Sequence, residues 1–106
     1  MASAALELYE AIGAASRRML EAARAGDWDA LLEAEARCAA LVAEARAAPP
    51  AALAADEQQR KAEILRRVLA DDAEIRRHLQ PRLAALEAML LGARNAERAQ
   101  RFYDEG

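Results

Sequence analysis

The sequence predicts an all-α fold, an antiparallel helical bundle, and three observations indicate it. Ala, Leu, Glu and Arg dominate the composition, and all four favour helices. No run is rich in the β-branched or aromatic residues that strands prefer. Apolar residues recur at spacings of three and four over long stretches. Because 106 residues can bury one modest core and not two, we expect a single helical domain over residues 1–106.

The first predicted helix runs from about Ser3 to Ala25. Its apolar positions are spaced by four, three, four and three residues, which is the pattern of one helical face. They are Leu8, Ile12, Ala15, Met19 and Ala22, and Leu6, Tyr9 and Ala23 widen the face. Gly26 can take the left-handed conformation that closes a helix.

The second predicted helix runs from Asp27, a good N-cap residue, to about Arg46. Its apolar stripe comprises Leu31, Leu32, Cys38, Leu41, Val42 and Ala45. Glu35 falls on that stripe, and a buried carboxylate is costly unless paired, so we expect an Arg partner from a neighbouring helix. Since almost no loop separates the two helices, they should form an antiparallel hairpin with Trp28 filling its closed end.

Residues Ala47 to Ala55 interrupt the helical pattern, because Pro49-Pro50 cannot continue a helix. We interpret this segment as a mobile surface loop. Asp56-Glu57-Gln58-Gln59 then resembles a capping box, with Asp56 as the N-cap and Gln59 at the third helical position.

A long third helix is predicted from about Asp56 to Leu91, kinked near Pro81. Its apolar pattern keeps one phase across the proline, which a tight turn between two helices would not require. The positions are Ile64, Val68, Asp72, Ile75, Leu79, Leu83, Leu86 and Leu90. The alternative is a helix that ends at Leu79 or Gln80, with Pro81 opening a fourth helix. Gly92 is the next breaker, so Arg94 to Tyr103 is expected as a short C-terminal helix that is ordered only by docking.

The charge and cysteine content exclude several classes. The net charge is −3 with the signs interspersed along the chain, whereas a nucleic-acid-binding protein would show a basic stripe. Cys38 is the only cysteine, so no intrachain disulfide can form. No apolar run reaches the length of a membrane span, and the N-terminus lacks the layout of a signal peptide. We therefore expect a cytoplasmic protein.

The residues offer little for catalysis, and we expect no catalytic site, no metal site and no cofactor. Cys38 is interpreted as a small buried hydrophobic residue, and His78 as a surface residue without the partners that a metal would need. One enzyme class stays open, the all-helical chorismate mutases, which bind a dicarboxylate with Arg, Lys and Glu side chains. Residues of those types here are Arg17, Arg18, Lys61 and Glu35. A plain helical assembly domain is a further alternative.

Two features could bind a partner protein. Leu69, Asp72 and Arg76 share one helical face at i, i+3 and i+7. They form either a surface ion pair beside an exposed leucine or a docking face whose charges set a partner's register. Phe102 and Tyr103 are unusual in a chain with 4% aromatic residues. They either pin the C-terminal tail or anchor an interaction.

Three blocks of sequence resemble the FliT-type flagellar export chaperones along nearly the whole chain. The first is Gly26-Asp27-Trp28-Asp29 with Leu31-Leu32 and Glu35, which matches the family's hinge motif. The second block is Ile64-Leu65, Leu69, Asp71-Asp72, Ile75-Arg76, Leu79, Pro81-Arg82-Leu83 and Leu86. The third is Phe102-Tyr103.

The resemblance implies a non-enzymatic cytoplasmic chaperone of flagellar type III secretion. Such proteins bind the C-terminal region of the filament-cap protein FliD and deliver it through the export ATPase complex and the cytoplasmic domain of the export gate. In some bacteria they also restrain a flagellar transcription activator. Carried over to this chain, the docking surfaces of the long and C-terminal helices imply Leu69, Asp71, Arg76 and Tyr103 as partner-binding residues. A second copy of the chain is a further candidate partner, since self-association could cover an exposed groove.

Overall fold

Three α-helices and no strand make up residues 3–105, the part of the chain that this computed structural model describes, with side chains described over 3–102. They are α1 (Ala4–Ala25), α2 (Trp28–Ala47) and α3 (Ala55–Glu105). The all-helical class is therefore confirmed. None of these helices contains a stretch that is long and apolar enough to cross a membrane. The chain divides into two compact units, Met1–Arg76 and Arg77–Gly106, and the single domain expected from the sequence stays a prediction.

The connection between α1 and α2 consists of two residues. Gly26 has a φ of 68°, which is the left-handed conformation expected from the sequence, and its N–H donates to the carbonyl oxygen of Ala23. The Asp27 carboxylate caps α2 by accepting a 3.1 Å hydrogen bond from the N–H of Ala30. Trp28 follows and is half-buried. Its proposed place at the closed end of a hairpin stays a prediction.

Helix α1 is buried on two sides, whereas the sequence pattern indicated one. Towards α2, Ile12 and Ala15 form the core with Leu41, and the half-buried residues packed around them include Leu8, Cys38, Val42, Ala45 and Val68. Towards α3, a Cβ built on Gly13 would come within 3.2 Å of Ile64 Cγ2. Ser16 and Leu20 follow Gly13 at helical spacing and are buried, Leu20 to 1% exposure. The first unit therefore has α1 at its centre.

Polar pairs join α1 to the first part of α3 along its length. The pairs, in order along α1, are Ser3 with Glu57, Glu10 with Arg60, Ser16 with Asp71 and Arg24 with Glu74. From one pair to the next, the α1 residue and its α3 partner both lie further towards the C-terminus. The two helical segments therefore run side by side in the same direction.

The start of α3 differs from the predicted capping box. Glu57, not Gln59, occupies the third helical position, and its Oε1 accepts the N–H of Ala54 at 3.3 Å. Its Oε2 accepts the N–H of Ser3 at 3.0 Å. These hydrogen bonds, that from the Ser3 backbone first, lower the pKa of the Glu57 carboxyl from its ordinary 4.5. The prediction with Asp56 as N-cap was wrong, because α3 begins one residue earlier, at Ala55, and Glu57 makes the local capping bond with Ala54 in addition to the contact with Ser3.

Helix α3 does not end at Gly92, so the separate C-terminal helix predicted from the sequence is wrong. A glycine inside a helix costs only about 1 kcal/mol relative to alanine, and strong helix formers flank it on both sides. Pro81 also lies inside the helix, and a kink there stays a prediction. In the second unit the leucines of the predicted apolar stripe, Leu83, Leu86 and Leu90, are exposed.

The apolar stripe predicted for α2 is narrower in the structure. Leu31 and Leu41 are buried, but Leu32 and Glu35 are exposed. At 100° per residue, Glu35 lies roughly 40° from Leu31 and roughly 120° from Leu41, at the edge of the buried arc, where its side chain reaches solvent. The expected burial of Glu35 beside an Arg was therefore wrong.

Candidate partner-binding surface

An apolar groove opens in the first unit where all three helices meet, and we refer to it as the α2–α3 groove. Its volume is about 420 Å³. Its lining comprises Tyr9 and Ile12 of α1, Val42, Ala45 and Arg46 of α2, and Leu65 and Val68 of α3. Arg46 is the one charged lining residue and is exposed. An apolar channel with a charged rim is the usual shape of a site for an amphipathic helix.

A second cleft of about 280 Å³ adjoins the groove and shares Tyr9 and Ala45 with it. Pro49 and Pro50 of the connection between α2 and α3 line its outer side. The Lys61 ammonium lies 4.7 Å from the centroid of the Tyr9 ring, which is cation–π distance. Lys61 therefore brings a positive charge to this end of the apolar surface.

A stripe on α3 extends the apolar surface away from the prolines. Leu65 of the groove is followed by Leu69, Asp72 and Arg76 at steps of four, three and four, which places them on one face. We call these four residues the Leu69 stripe. Leu69 is 70% exposed, and the Arg76 Nε lies 3.0 Å from the Asp72 Oδ2. An exposed i, i+4 ion pair contributes only about 0.3–0.5 kcal/mol, so both charges can be redirected to a partner at little cost.

Asp71 points away from this stripe and is only 4% exposed. Its Oδ2 accepts a hydrogen bond from the Ser16 hydroxyl at 3.3 Å, and its Oδ1 lies 3.5 Å from Arg17 Nη2. The sequence analysis assigned Asp72 to the core-facing stripe of α3, and the structure corrects this by one position to Asp71. Leu69, Asp72 and Arg76 are thus together on the surface, while Asp71 lies behind them against α1.

Exposed ion pairs flank Asp71 along the contact between α1 and α3. Arg24 holds Glu74 with two bonds of 2.6 and 2.8 Å. Arg60 likewise binds both oxygens of Glu10, at 2.7 and 3.1 Å, and this hydrogen bonding lowers the pKa of the Glu10 carboxyl from its ordinary 4.5. Two bidentate arginine–carboxylate pairs therefore secure the two helices on the solvent side.

The C-terminal aromatic residues lie in the second unit. Phe102 is exposed. Tyr103 lies within the last turns of α3, but its side chain is outside the described residues. The role of Tyr103 as an anchor stays a prediction.

The residues considered for chemistry lie apart from one another. Arg17 lines a cleft between α1 and α3, Arg18 lines one between α1 and α2, and Lys61 lies at Tyr9. Among the residues with described side chains, no group of three or more His, Cys, Asp or Glu could hold a metal ion. Cys38 packs against the core, and burial raises the pKa of its thiol from the ordinary 9.0.

Sequence reasoning missed the groove itself. Tyr9, Val42 and Leu65 line it, and they come from three helices, so no local spacing connects them. One signal was available, since Leu65 and Leu69 are large apolar residues at i and i+4 that lie off the predicted core stripe. Such a pair indicates a second apolar face on α3.

Comparison with known proteins matches residues 6–105 of the chain to a family model described as "Flagellar protein FliT". Among solved structures, the chain is similar to the flagellar protein FliT from Bordetella bronchiseptica, with 33% sequence identity and a TM-score of 0.74. The match covers 82% of this chain and 99% of the Bordetella chain. The comparison with curated proteins gives no significant match.

Proposed function

Because the chain belongs to the FliT family of flagellar proteins, we propose that it is a cytoplasmic chaperone of flagellar type III secretion. Its cargo in this proposal is the filament-cap protein FliD, bound by the C-terminal region and delivered to the export apparatus. The export ATPase complex and the cytoplasmic domain of the export gate are the proposed receiving partners. Restraint of a flagellar transcription activator would make it a regulator of flagellar gene expression as well.

The α2–α3 groove is the observation that carries this proposal. Soluble monomers rarely expose a large continuous apolar surface unless it binds something. The groove of about 420 Å³ is continuous along α3 with Leu69, whose side chain is 70% exposed. An amphipathic helix laid along this surface would place apolar anchors at i, i+3 or i+4, and i+7.

The charges along the surface indicate where the cargo helix should carry charged residues. Arg46 lies at the groove, and the Asp72–Arg76 pair lies at the far end of the Leu69 stripe. A bound helix with a basic residue opposite Asp72 and acidic residues opposite Arg46 and Arg76 would meet complementary charges along its length. Such charges fix the register of a complex more than they add affinity.

The C-terminal segment is the proposed regulatory element. The resemblance implies that Tyr103 and its neighbours act as a second docking surface and as a flap. A kink at Pro81 and an antiparallel hairpin of α1 and α2 belong to the same proposal. A second copy of this chain is the competing occupant of the groove.

Titration calorimetry with the full chain and a synthetic peptide of the FliD C-terminal segment tests the proposal. Ala45→Trp fills the groove and should abolish binding. Ala43→Trp is the matched control, because Ala43 lies on the same helix but is exposed outside the groove, and it should bind like the wild type. Light scattering of the same samples reports self-association.

The proposal fails if the folded wild-type chain shows no binding at tens of micromolar peptide. If Ala45→Trp and Ala43→Trp bind the peptide equally well, the groove is not the binding site. A dimer that the peptide does not dissociate would instead assign the groove to a second copy of the chain.

A further inference from the structure

A buried polar contact joins α1 and α3 directly behind the Leu69 stripe. Asp71 and Ser16 are 4% and 3% exposed, and the Ser16 hydroxyl donates to the Asp71 carboxylate at 3.3 Å. Arg17, the next residue of α1, approaches the other carboxylate oxygen at 3.5 Å from the solvent side. Burying this carboxylate costs free energy unless the Ser16 hydroxyl and the Arg17 guanidinium compensate for the lost water. We call the three residues the Asp71 contact.

The Asp71 contact can form in only one axial register of the two helices. A slip by one helical turn moves α3 about 5.4 Å along α1. The carboxylate would then face the residues four positions from Ser16, Ile12 or Leu20, or those three positions away, Gly13 or Met19. None of these side chains can donate a hydrogen bond, so the slipped register would leave the carboxylate without the Ser16 hydroxyl.

The apolar contact between the helices favours the same register. Ile64 lies against Gly13, whose missing side chain allows the close approach, because a Cβ at that position would come within 3.2 Å of Ile64 Cγ2. A slip by one turn would move Ile64 off the glycine, so this contact adds to the preference that the buried carboxylate sets.

We propose that Asp71 is a positioning residue of the partner-binding surface. By holding α3 in one register against α1, it sets where Leu69, Asp72 and Arg76 lie relative to the groove walls that α1 and α2 supply. This inference rests on the proposed function, and it moves Asp71 from the docking surface, where the family resemblance placed it, to the support behind that surface. The partner itself does not touch the carboxylate.

The variant Ser16→Ala/Asp71→Leu separates positioning from stability. Replacing a buried polar set with apolar side chains is often neutral or stabilising, so its thermal midpoint should be unchanged or higher. Its affinity for the FliD peptide should nevertheless fall at least about tenfold. A merely structural role would not give a stable protein that binds worse.

Spin-label distances report the register directly. Labels at Glu7→Cys and Ala73→Cys, both exposed positions, are placed in a Cys38→Ala background of the full chain. With Ser16 and Asp71 intact, the two labels should be at one distance from each other. The Ser16→Ala/Asp71→Leu variant should show a second population whose distance differs by up to about 5.4 Å, one helical turn. Asp71→Asn keeps the shape and the hydrogen bond with Ser16, so it should keep one distance and wild-type binding.

The control is Asp56→Leu, the same change at an exposed position of α3, which should alter neither the distance nor the affinity. A single unchanged distance together with unchanged affinity in the double variant overturns the inference. If the wild-type chain does not bind the peptide, the proposed function fails, and the distance measurement still decides whether Asp71 sets the register. If the double variant does not fold, Asp71→Val with Ser16 retained replaces it in the same two measurements.

Discussion

Replacement of Leu69 by alanine isolates the contribution of the exposed stripe to binding. Burying a leucine side chain completely is worth about 1.5–3 kcal/mol relative to leaving it exposed. Because Leu69 is 70% exposed in the free chain, most of that energy is still available to a partner. Leu69→Ala should therefore cost about 1–2 kcal/mol of binding, which weakens the dissociation constant roughly 5- to 30-fold.

The same change should leave the fold intact, since surface substitutions usually shift stability by less than about 0.5 kcal/mol. Calorimetry against the FliD C-terminal peptide gives the affinity, and urea unfolding gives the stability. Leu91→Ala is the matched control, an exposed leucine of the second unit outside the proposed surface. A dissociation constant for Leu69→Ala within twofold of wild type, or an equal loss in Leu91→Ala, would refute the assignment of Leu69 to the binding surface.

Four further predictions concern the hinge, two titrating groups and the tail. Gly26→Ala should destabilise the chain by about 1 kcal/mol, because a left-handed conformation costs a non-glycine residue about 1–2 kcal/mol and Gly26 has a φ of 68°; urea unfolding that shows no loss contradicts this. The pKa of Glu57 is lowered in the folded state by hydrogen bonds from Ser3, so the stability it contributes is present above its ordinary pKa of 4.5 and is lost as the pH falls through the lower folded value. The thermal midpoint of the wild type should consequently drop more steeply between pH 5 and pH 3, on the order of its pKa range, than that of Glu57→Gln, and coincident curves would disprove the link. Burial raises the pKa of the Cys38 thiol, so the folded chain should react with a disulfide reagent at mildly alkaline pH more slowly than the urea-unfolded chain, and equal rates would show an accessible thiolate. Deleting Asn95–Gly106 should tighten binding of the FliD peptide in calorimetry if the tail competes for the groove; equal affinity means that it is not a flap, and weaker affinity means that it belongs to the binding surface.

Local chemistry allowed the starts of α1 and α2 and the two residues between them to be predicted closely. Helix α1 was expected from Ser3 and begins at Ala4, while α2 was expected from Asp27 and begins at Trp28. Gly26 closes the first helix and Asp27 caps the second through contacts within a few residues. Such contacts depend on nearby sequence alone, so a sequence pattern is enough to find them.

Features that depend on distant residues were missed or misplaced. Burial of Leu20 could not be predicted from one apolar stripe, because α1 packs on two sides. The hydrogen bond that Glu57 accepts from the N–H of Ser3, 54 residues away, likewise could not be predicted from local sequence. For the proposed binding surface, the pattern singled out Leu69, while the groove beside it depends on the placement of three helices.

The pairing of α1 with α3 has a consequence for how the chain folds. Residues in these pairs are 50 to 55 positions apart, whereas α1 and α2 are joined by two residues. Closing a loop of that length costs roughly 3.5 kcal/mol of chain entropy beyond a constant term, so the contact between α1 and α2 should form first and α3 should dock last. On the ribosome, the side of α1 that carries Ser16 and Leu20 would remain uncovered until α3 had emerged as far as Asp71 and Glu74. At that stage the nascent chain exposes apolar α1 side chains such as Leu20, which are buried in the complete fold. Substitutions in the α1–α3 contact should change the unfolding rate more than the rate at which α1 and α2 come together.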